Sequence, residues 1–282
     1  MFNLTNKELE EYIHDDIPYF DITTSLQNEK NRQAKLSIFT REDIMVSCSE
    51  EAKRVAELLN CHVQKYVPSK TNIKKGESIL EFTGAYEDVH KAWRVCQILL
   101  EYSCKIATYT HDMNQKIKAI NPSCELLATR KTFPFAKRFC IKSILNGGAF
   151  PHRLGLSETI LFFENHRILY ETNKDFYKAI YDFKIKVPEK KIVVESSTLE
   201  DMKQLMEYGV DVIQIDKASL EVIAQAVEHK NRYVYESVKL LATGGIHLNN
   251  AEAFAKTKVD GIVTSSLYNA GSANLGSTMT LI

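Results

Sequence analysis

The second half of the chain repeats one pattern, in which helical segments with an apolar stripe alternate with short apolar runs. The apolar runs predict strands over residues 125–129, 159–163, 191–195, 211–215, 238–242 and 261–264. The helical period predicts helices over residues 110–120, 136–145, 174–183, 199–208, 219–229 and 249–256. Strands that alternate with helices are typical of parallel βα units, so this region is predicted to form a closed or nearly closed α/β barrel.

The first hundred residues have a mixed pattern instead. Thr5 or Asn6 can cap a first helix that runs to His14, and an acid-rich loop over residues 15–24 follows it. Further along, the pattern predicts strands over 34–38 and 44–46, a helix over 50–59, a turn that feeds a strand over 72–81, and a helix over 87–102. This part is predicted to be a small α+β unit.

Composition narrows the class of protein. The 282 residues are 44% hydrophobic, and 36 basic residues balance 36 acidic ones. A neutral chain has no overall positive field for nucleic acid, so any anion recognition must be local. The acidic first segment and the lack of a long apolar run argue against a secretory signal or membrane span, which predicts a cytoplasmic protein. The six cysteines form no CxxC pair and are expected to be reduced and mostly buried.

Charged and small polar residues follow nearly every predicted barrel strand. They are Arg130-Lys131, Glu164-Asn165-His166, Glu195-Ser196, Asp216-Lys217, Thr243-Gly244-Gly245 and Ser265-Ser266, and His152-Arg153 lies in a second cationic loop. In an α/β barrel the chemistry lies where the strands end. Arg offers a rigid fork to carboxylate or phosphate, so the two cationic loops are candidates for holding an anion. The alternative is a solvated basic surface.

The later strand ends suggest a phosphate and sugar site. Gly244-Gly245 would let backbone N–H groups close around a phosphate, with hydroxyls from Ser265 and Ser266 nearby, although a tight turn explains the glycines equally well. Glu195 and Asp216 could bind sugar hydroxyls directly or through Mg²⁺, or could be salt-bridge partners. The sequence contains no GxGxxG or GxxxxGK[ST] motif, and no HExxH motif or Ser-His-Asp order for hydrolysis.

Together these motifs resemble those of the type II phosphoribosyltransferases, whose model is quinolinate phosphoribosyltransferase, also called nicotinate-nucleotide pyrophosphorylase. The resemblance spans nearly the whole chain and rests on the segments DIPYFDITT, TRKT, GGxxxHRLGL, ENH, the isolated Glu195 and Asp216, and TGGI. LLATRKTFP, PHRLGLSETILFFENH and IVTSSLYNA are most similar to the ModD subgroup, which is encoded with molybdate-transport genes.

The resemblance implies a two-domain architecture and a reaction. An N-terminal α/β sandwich over residues 1–107, to which the tail 268–282 returns, would precede an incomplete α/β barrel of six to seven strands over 108–267. The protein would form a homodimer or a higher homo-oligomer, in which one subunit's N-terminal domain covers the other's barrel. With Mg²⁺, phosphoribosyl pyrophosphate and an anionic heterocyclic acid would give a ribonucleotide and pyrophosphate.

The resemblance also implies a role for each matched residue. Arg130, His152 and Arg153 would hold the acid's carboxylate, with Arg94 entering from the partner subunit and Phe163 and His166 lining the site. Lys131 would meet substrate or pyrophosphate oxygens. Glu195 and Asp216 would hold the ribose hydroxyls and the Mg²⁺. The 5′-phosphate would bind at Thr243, Gly244, Gly245, Ser265 and Ser266.

Four positions depart from the family pattern. Phe163 replaces a substrate-binding lysine, Lys217 replaces an asparagine, and Ser265 and Phe135 replace glycines. The loss of one cation makes standard quinolinate a poor match. Three hypotheses follow: a phosphoribosyltransferase for a ring acid or related heterocycle other than, or less charged than, quinolinate; a true quinolinate phosphoribosyltransferase; and a non-catalytic anion-binding protein linked to molybdate transport.

Overall fold

The computed structural model describes residues 3–282 and divides them into two compact units. The first unit comprises residues 3–111, Thr132–Gly148 and Tyr268–Ile282. The second comprises Asp112–Lys131 and Ala149–Leu267. The sequence assigned residues 132–148 to the barrel domain. In the structure they belong to the first unit, because the helix that they form packs there.

The first unit is built on an antiparallel sheet with the order β13-β1-β5-β3. Its strands are β1 (Gln33–Thr40), β3 (His62–Tyr66), β5 (Ser78–Ala85) and β13 (Leu275–Leu281), and a separate pair consists of β2 (Ile44–Met45) and β4 (Asn72–Ile73). The tail therefore forms a strand of this sheet, since Leu36 of β1 pairs with Met279 of β13.

The first unit also contains helices. They are α1 (Asn6–Asp16), α2 (Ile22–Ser25), α3 (Ser49–Leu58), the long α4 (Tyr86–Ile120), which continues into the second unit, and α5 (Lys137–Asn146). Of the two predicted capping residues, Thr5 caps α1, and it forms a capping box with Glu8. The core contains Leu36, Phe82 and Leu100, each fully buried.

One ionic cluster lies inside the first unit. Lys142 of α5 donates to both carboxylate oxygens of Glu51 at 2.8 and 2.6 Å and to Glu50 at 3.2 Å. The side chains of Lys142 and Glu51 are only 3% and 1% exposed. Because this pair is desolvated, removing one partner would leave an unpaired buried charge, which costs far more than breaking a surface ion pair.

The second unit is an incomplete parallel barrel, as predicted. Its seven strands lie in the order β7-β6-β12-β11-β10-β9-β8, and the two edge strands are not hydrogen-bonded to each other. The strands are β6 (Glu125–Ala128), β7 (Phe150–Pro151), β8 (Ile160–Phe162), β9 (Ile192–Ser196), β10 (Val212–Asp216), β11 (Lys239–Thr243) and β12 (Gly261–Thr264). The outer helices are α6 (Glu164–Arg167), α7 (Asn173–Lys186), α8 (Leu199–Glu207), α9 (Leu220–Arg232) and α10 (Ala251–Lys256).

Three local predictions need correction. The separate helices over 87–102 and 110–120 are one helix, α4, because the segment between them has neither proline nor glycine to stop it. Strands β3 and β7 were not predicted, and the acid-rich loop contains the short helix α2, capped by Asp21.

The six cysteines are free and buried, as expected, and burial raises the pKa of every one of their thiols. Among residues 3–282, none of the helices combines the length and the apolar character that crossing a bilayer requires.

Candidate active site

The carboxyl ends of the barrel strands meet at one edge of the sheet because neighbouring strands are parallel. This edge carries the predicted residues of the second unit. Along the sheet order they are His152 and Arg153 after β7, Arg130 and Lys131 after β6, Ser265 and Ser266 after β12, Gly244 and Gly245 after β11, Lys217 after β10, and Phe163 after β8.

Glu195 and Asp216 form the acidic part of this edge. Burial raises the pKa of Glu195, and the neighbouring Asp216 carboxylate adds to the rise. The positive charges of Lys131 and Lys217 act in the opposite direction on the same pKa. Two acids and two lysines from three strand ends therefore share one electrostatic environment.

Position 244 requires a glycine because its backbone lies close to Asp216 and Lys217. Its φ is +91°, and a Cβ atom there would lie 2.8 Å from Asp216 Oδ1 and 2.5 Å from Lys217 Cγ. Gly245 also has a positive φ, +69°, but a Cβ on it would meet nothing within 4 Å. Only Gly244 is thus required both by conformation and by space.

The hydroxyls beside the glycine turn are partly occupied within the protein. Thr243 Oγ1 donates to the carbonyl of Val263 at 3.0 Å. Ser266 N donates to Thr264 Oγ1 at 3.0 Å, and the two hydroxyls of these residues lie 3.1 Å apart. Ser265 is half-buried. The carbonyl of Thr243 also accepts from Lys217 N at 3.0 Å, so the hydroxyl and the carbonyl of Thr243 are both engaged within the protein.

The two cationic loops come together through Arg130 and Arg153. Burial lowers the pKa of Arg153, and the charge of Arg130 lowers it further, while Glu158 opposes the effect. His152 N donates to Ala128 O at 2.8 Å, which joins its loop to the end of β6. Burial, with a smaller contribution from Arg153, lowers the pKa of His152 to about 4, so its imidazole is neutral at neutral pH.

Phe163 and His166 form an aromatic pair at the end of β8. Their ring centroids are 5.7 Å apart with an interplanar angle of 27°. Phe163 N donates to His166 Nδ1 at 2.9 Å, so a neutral His166 carries its proton on Nε2. His166 is exposed and Phe163 is half-buried, so the pair presents an aromatic face and one N–H donor.

Sequence reasoning missed a network behind Glu195. Arg167 donates to the backbone carbonyl of Glu195 at 2.8 Å and to both oxygens of Asp201 at 2.9 and 3.1 Å. Tyr177 OH donates to Asp201 at 2.5 Å. Arg167 and Asp201 line a cavity of about 420 Å³ together with Glu195 and Asp216. Arg167 immediately follows the ENH motif, but only the fold shows what it contacts.

The predicted residue Arg94 lies elsewhere in the chain. It is on α4 in the first unit, exposed, with its guanidinium 5.7 Å from the centroid of the Trp93 ring.

Glu195 and Asp216 supply the oxygen ligands that Mg²⁺ prefers. No group of three or more His, Cys, Asp or Glu is placed to hold a metal ion anywhere in the part of the chain that the structure describes. Two carboxylates nevertheless fit Mg²⁺, which usually takes its other ligands from substrate oxygens and water.

Family models cover most of the chain. Residues 21–104 match the N-terminal domain of quinolinate phosphoribosyl transferase, and residues 106–274 match its C-terminal domain.

Relatives match along almost their whole length. "Putative pyrophosphorylase ModD" of Pasteurella multocida is 32% identical over 270 residues, which are 96% of this chain and 95% of that protein. "Probable nicotinate-nucleotide pyrophosphorylase (carboxylating)" of Methanothermobacter thermautotrophicus is 27% identical over 265 residues, or 92% and 94% of the two chains.

Solved structures share the fold. The crystal structure of NadC from Streptococcus pyogenes matches with a TM-score of 0.88 at 23% identity and covers 100% of both chains. The nicotinate-nucleotide pyrophosphorylase from Francisella tularensis matches with a TM-score of 0.88 at 24% identity and covers 99% and 98%. The chain therefore belongs to the quinolinate phosphoribosyltransferase family of pentosyltransferases.

Proposed function

We propose that the protein is a phosphoribosyltransferase that joins phosphoribosyl pyrophosphate to an anionic heterocyclic acid with release of pyrophosphate. We propose a ModD-like enzyme whose acceptor is a ring acid other than quinolinate, with less negative charge. The proposal rests above all on one observation, which is the meeting of Glu195, Asp216 and the Gly244 turn at adjacent strand ends, with Lys131 in the same field.

In this proposal the reaction needs positioning and charge rather than a nucleophilic side chain. The bond from the ribose C1 carbon to the pyrophosphate oxygen breaks, and its electron pair leaves with pyrophosphate, while a ring nitrogen forms the new bond to C1. Glu195 and Asp216 hold the ribose hydroxyls and stabilise the positive charge that develops on the sugar. Lys131 neutralises the departing oxygens, and Mg²⁺ would add Lewis-acid neutralisation of the diphosphate.

The phosphate end of the donor is assigned to the glycine turn. Gly244 is half-buried and Gly245 is exposed, neither has a side chain to screen its backbone N–H, and Ser265 and Ser266 lie on the neighbouring strand end. Thr243 anchors the start of this turn, since its hydroxyl donates to Val263 O and its carbonyl accepts from Lys217 N.

The charges available to the acceptor support a less charged acid. Arg130 and Arg153 supply two guanidinium groups, but His152 is neutral at neutral pH because burial lowers its pKa to about 4. Phe163 stacks on His166 and contributes an apolar face where the family has a lysine. Because Arg130 and Arg153 are close enough for the charge of one to lower the pKa of the other, they can share one carboxylate, with the ring of the acid against Phe163.

The test is direct. The purified protein is incubated with phosphoribosyl pyrophosphate, Mg²⁺ and a panel of heterocyclic mono- and dicarboxylic acids, and pyrophosphate release is measured. Release that depends on one of the acids is expected, and no release with any of them would refute the proposal.

A second candidate keeps quinolinate as the acceptor, as in a carboxylating enzyme. The match to both quinolinate phosphoribosyl transferase domains favours it. Quinolinate-dependent CO₂ release at a rate at least equal to that of the best monocarboxylic acid would establish this candidate over the first.

The assembly remains a proposal as well. In a homodimer of the implied kind, Arg94 would complete the acceptor site of the partner. Loss of acceptor-dependent turnover in Arg94→Ala, restored by mixing with an Arg130→Ala protein, would support shared sites.

A further inference from the structure

A glutamine lies on the barrel strand that carries Asp216. Gln214 is in β10, two residues before Asp216, so both side chains lie on the same face of the sheet. Its side chain is 6% exposed. The other residues buried in this strand, Ile213 and Ile215, are apolar.

Only one of the two polar atoms in the Gln214 side chain has a hydrogen-bond partner among the described residues. Its Nε2 donates to Glu195 Oε2 at 2.8 Å. Its Oε1 is buried and has no hydrogen-bond partner among the described residues. A buried amide oxygen without a partner costs stability, and an apolar side chain of similar size would avoid that cost.

The register of the sheet explains how the contact arises. Gln214 and Glu195 are directly paired on the neighbouring strands β10 and β9. Paired residues of adjacent strands point to the same face, so an amide at position 214 reaches the carboxylate from within the barrel. Arg167 holds the backbone carbonyl of the same glutamate at 2.8 Å. Glu195 is thus fixed at its main chain by one residue and at its carboxylate by the other.

We infer that Gln214 is a positioning residue for the donor site, which orients the Glu195 carboxylate for the ribose of phosphoribosyl pyrophosphate. The identity of the ligand rests on the proposed function. The hydrogen bond between Gln214 and Glu195 is independent of that function. Gln214 interrupts an apolar buried strand and leaves its own oxygen without a partner, so it does not serve the core. We attribute its presence to the group that it contacts, the Glu195 carboxylate.

A positioning residue and a core residue differ in what their replacement changes. Replacing a positioning residue weakens ligand binding, whereas replacing a core residue lowers stability. Replacement by methionine, which has similar length but no N–H, removes the orienting hydrogen bond and also removes the unpartnered oxygen. The Gln214→Met protein should therefore unfold at the same temperature as the wild type or a higher one, while it binds phosphoribosyl pyrophosphate more weakly.

The experiment is calorimetric titration of phosphoribosyl pyrophosphate with Mg²⁺ into the wild type, Gln214→Met, Glu195→Gln and the double variant, without acceptor. Gln214→Met should raise the Kd about tenfold or more, the size expected for one hydrogen bond to a charged group. The double variant should bind no more weakly than Glu195→Gln alone, because Gln214 acts through Glu195. The control is Gln204→Met, whose amide donates to Glu207 on the surface of α8.

Three results would overturn the inference: unchanged donor affinity in Gln214→Met, losses that add in the double variant, or a clearly lower unfolding temperature for Gln214→Met. If the wild type itself binds no phosphoribosyl pyrophosphate, the proposed function fails instead. Crystal structures of the wild type and Gln214→Met then decide the inference, which requires the Glu195 carboxylate to move when the amide is removed.

Discussion

Gly244 lies so close to Asp216 that a single methyl group on the glycine would overlap the carboxylate, with 2.8 Å between the added carbon and Asp216 Oδ1. The turn after β11 and the acid at the end of β10 are therefore one structural unit. Any change at position 244 is transmitted directly to position 216.

Gly244→Ala should lower the free energy of unfolding by about 2–3 kcal/mol, because it combines a positive φ with overlap against Asp216. Pyrophosphate release should fall at least tenfold. The control is Gly209→Ala, which also has a positive φ but meets nothing within 4 Å and should cost only about 1 kcal/mol. Equal losses of stability in the two variants, measured by urea unfolding, would show that the overlap has no cost.

Phe135→Gly should stabilise the protein by about 1 kcal/mol. Phe135 has a φ of +65° and is fully exposed, so glycine removes backbone strain without removing buried contacts. Phe133→Gly, in the same loop without a positive φ, should destabilise the protein instead. A lower urea midpoint for Phe135→Gly than for the wild type would show that the backbone at position 135 is not strained.

Glu51→Gln should lower the free energy of unfolding by about 3 kcal/mol or more. It removes a carboxylate that accepts two hydrogen bonds from Lys142 in the interior of the first unit. On the same helix, Glu57 is largely exposed and lies 3.7 Å from Lys53. Glu57→Gln should change stability by less than about 1 kcal/mol, and a comparable loss in both variants would mean that the buried pair contributes no more than a surface pair.

His152 should make folding sensitive to acid. Its pKa is about 4 in the folded chain, below the ordinary histidine value, because burial disfavours the charged form. Between these two values the unfolded chain binds a proton that the folded chain does not, so this contribution to stability is complete above pH ~6.5 and is lost as pH falls toward 4. His152→Gln should flatten this part of the curve of unfolding free energy against pH, whereas His62→Gln on exposed β3 should not.

Phe163→Lys should raise the affinity for dicarboxylic ring acids and lower it for monocarboxylic ones. The substitution restores a cation at the end of β8 and breaks the stack on His166. Tyr181→Lys adds the same charge on an exposed face of α7 and should leave both affinities unchanged. If calorimetry shows equal or weaker dicarboxylate binding in Phe163→Lys, the side chain at position 163 does not face the acid.

The sequence predicted the barrel strands well, because their apolar runs are bounded by charged or glycine residues. Strand β3 was missed because His62 and three of its other residues are exposed, so it shows no apolar alternation. Strand β7 was missed because two residues, Phe150 and Pro151, carry too little pattern. The break expected within α4 was based on a change in rhythm rather than on a residue that stops a helix.

Some residues of the candidate site were also predictable from the sequence, and others were not. Residues such as Lys131 and Asp216 were predictable because strand ends can be found from the pattern alone. Gln214 and Arg167 were not, because their significance depends on a partner strand and a backbone carbonyl that the linear sequence does not bring together. Their side chains carry no local signal of that geometry.

The pairing of β13 with β1 has a consequence for synthesis on the ribosome. Ala34 pairs with Leu281, so the sheet of the first unit lacks one strand until residues 275–281 have been translated. The barrel strands are made before this sheet can close. A nascent chain therefore has an unpaired edge on β1 until β13 is made, and we expect aggregation to compete with folding while this slow, long-range pairing is incomplete.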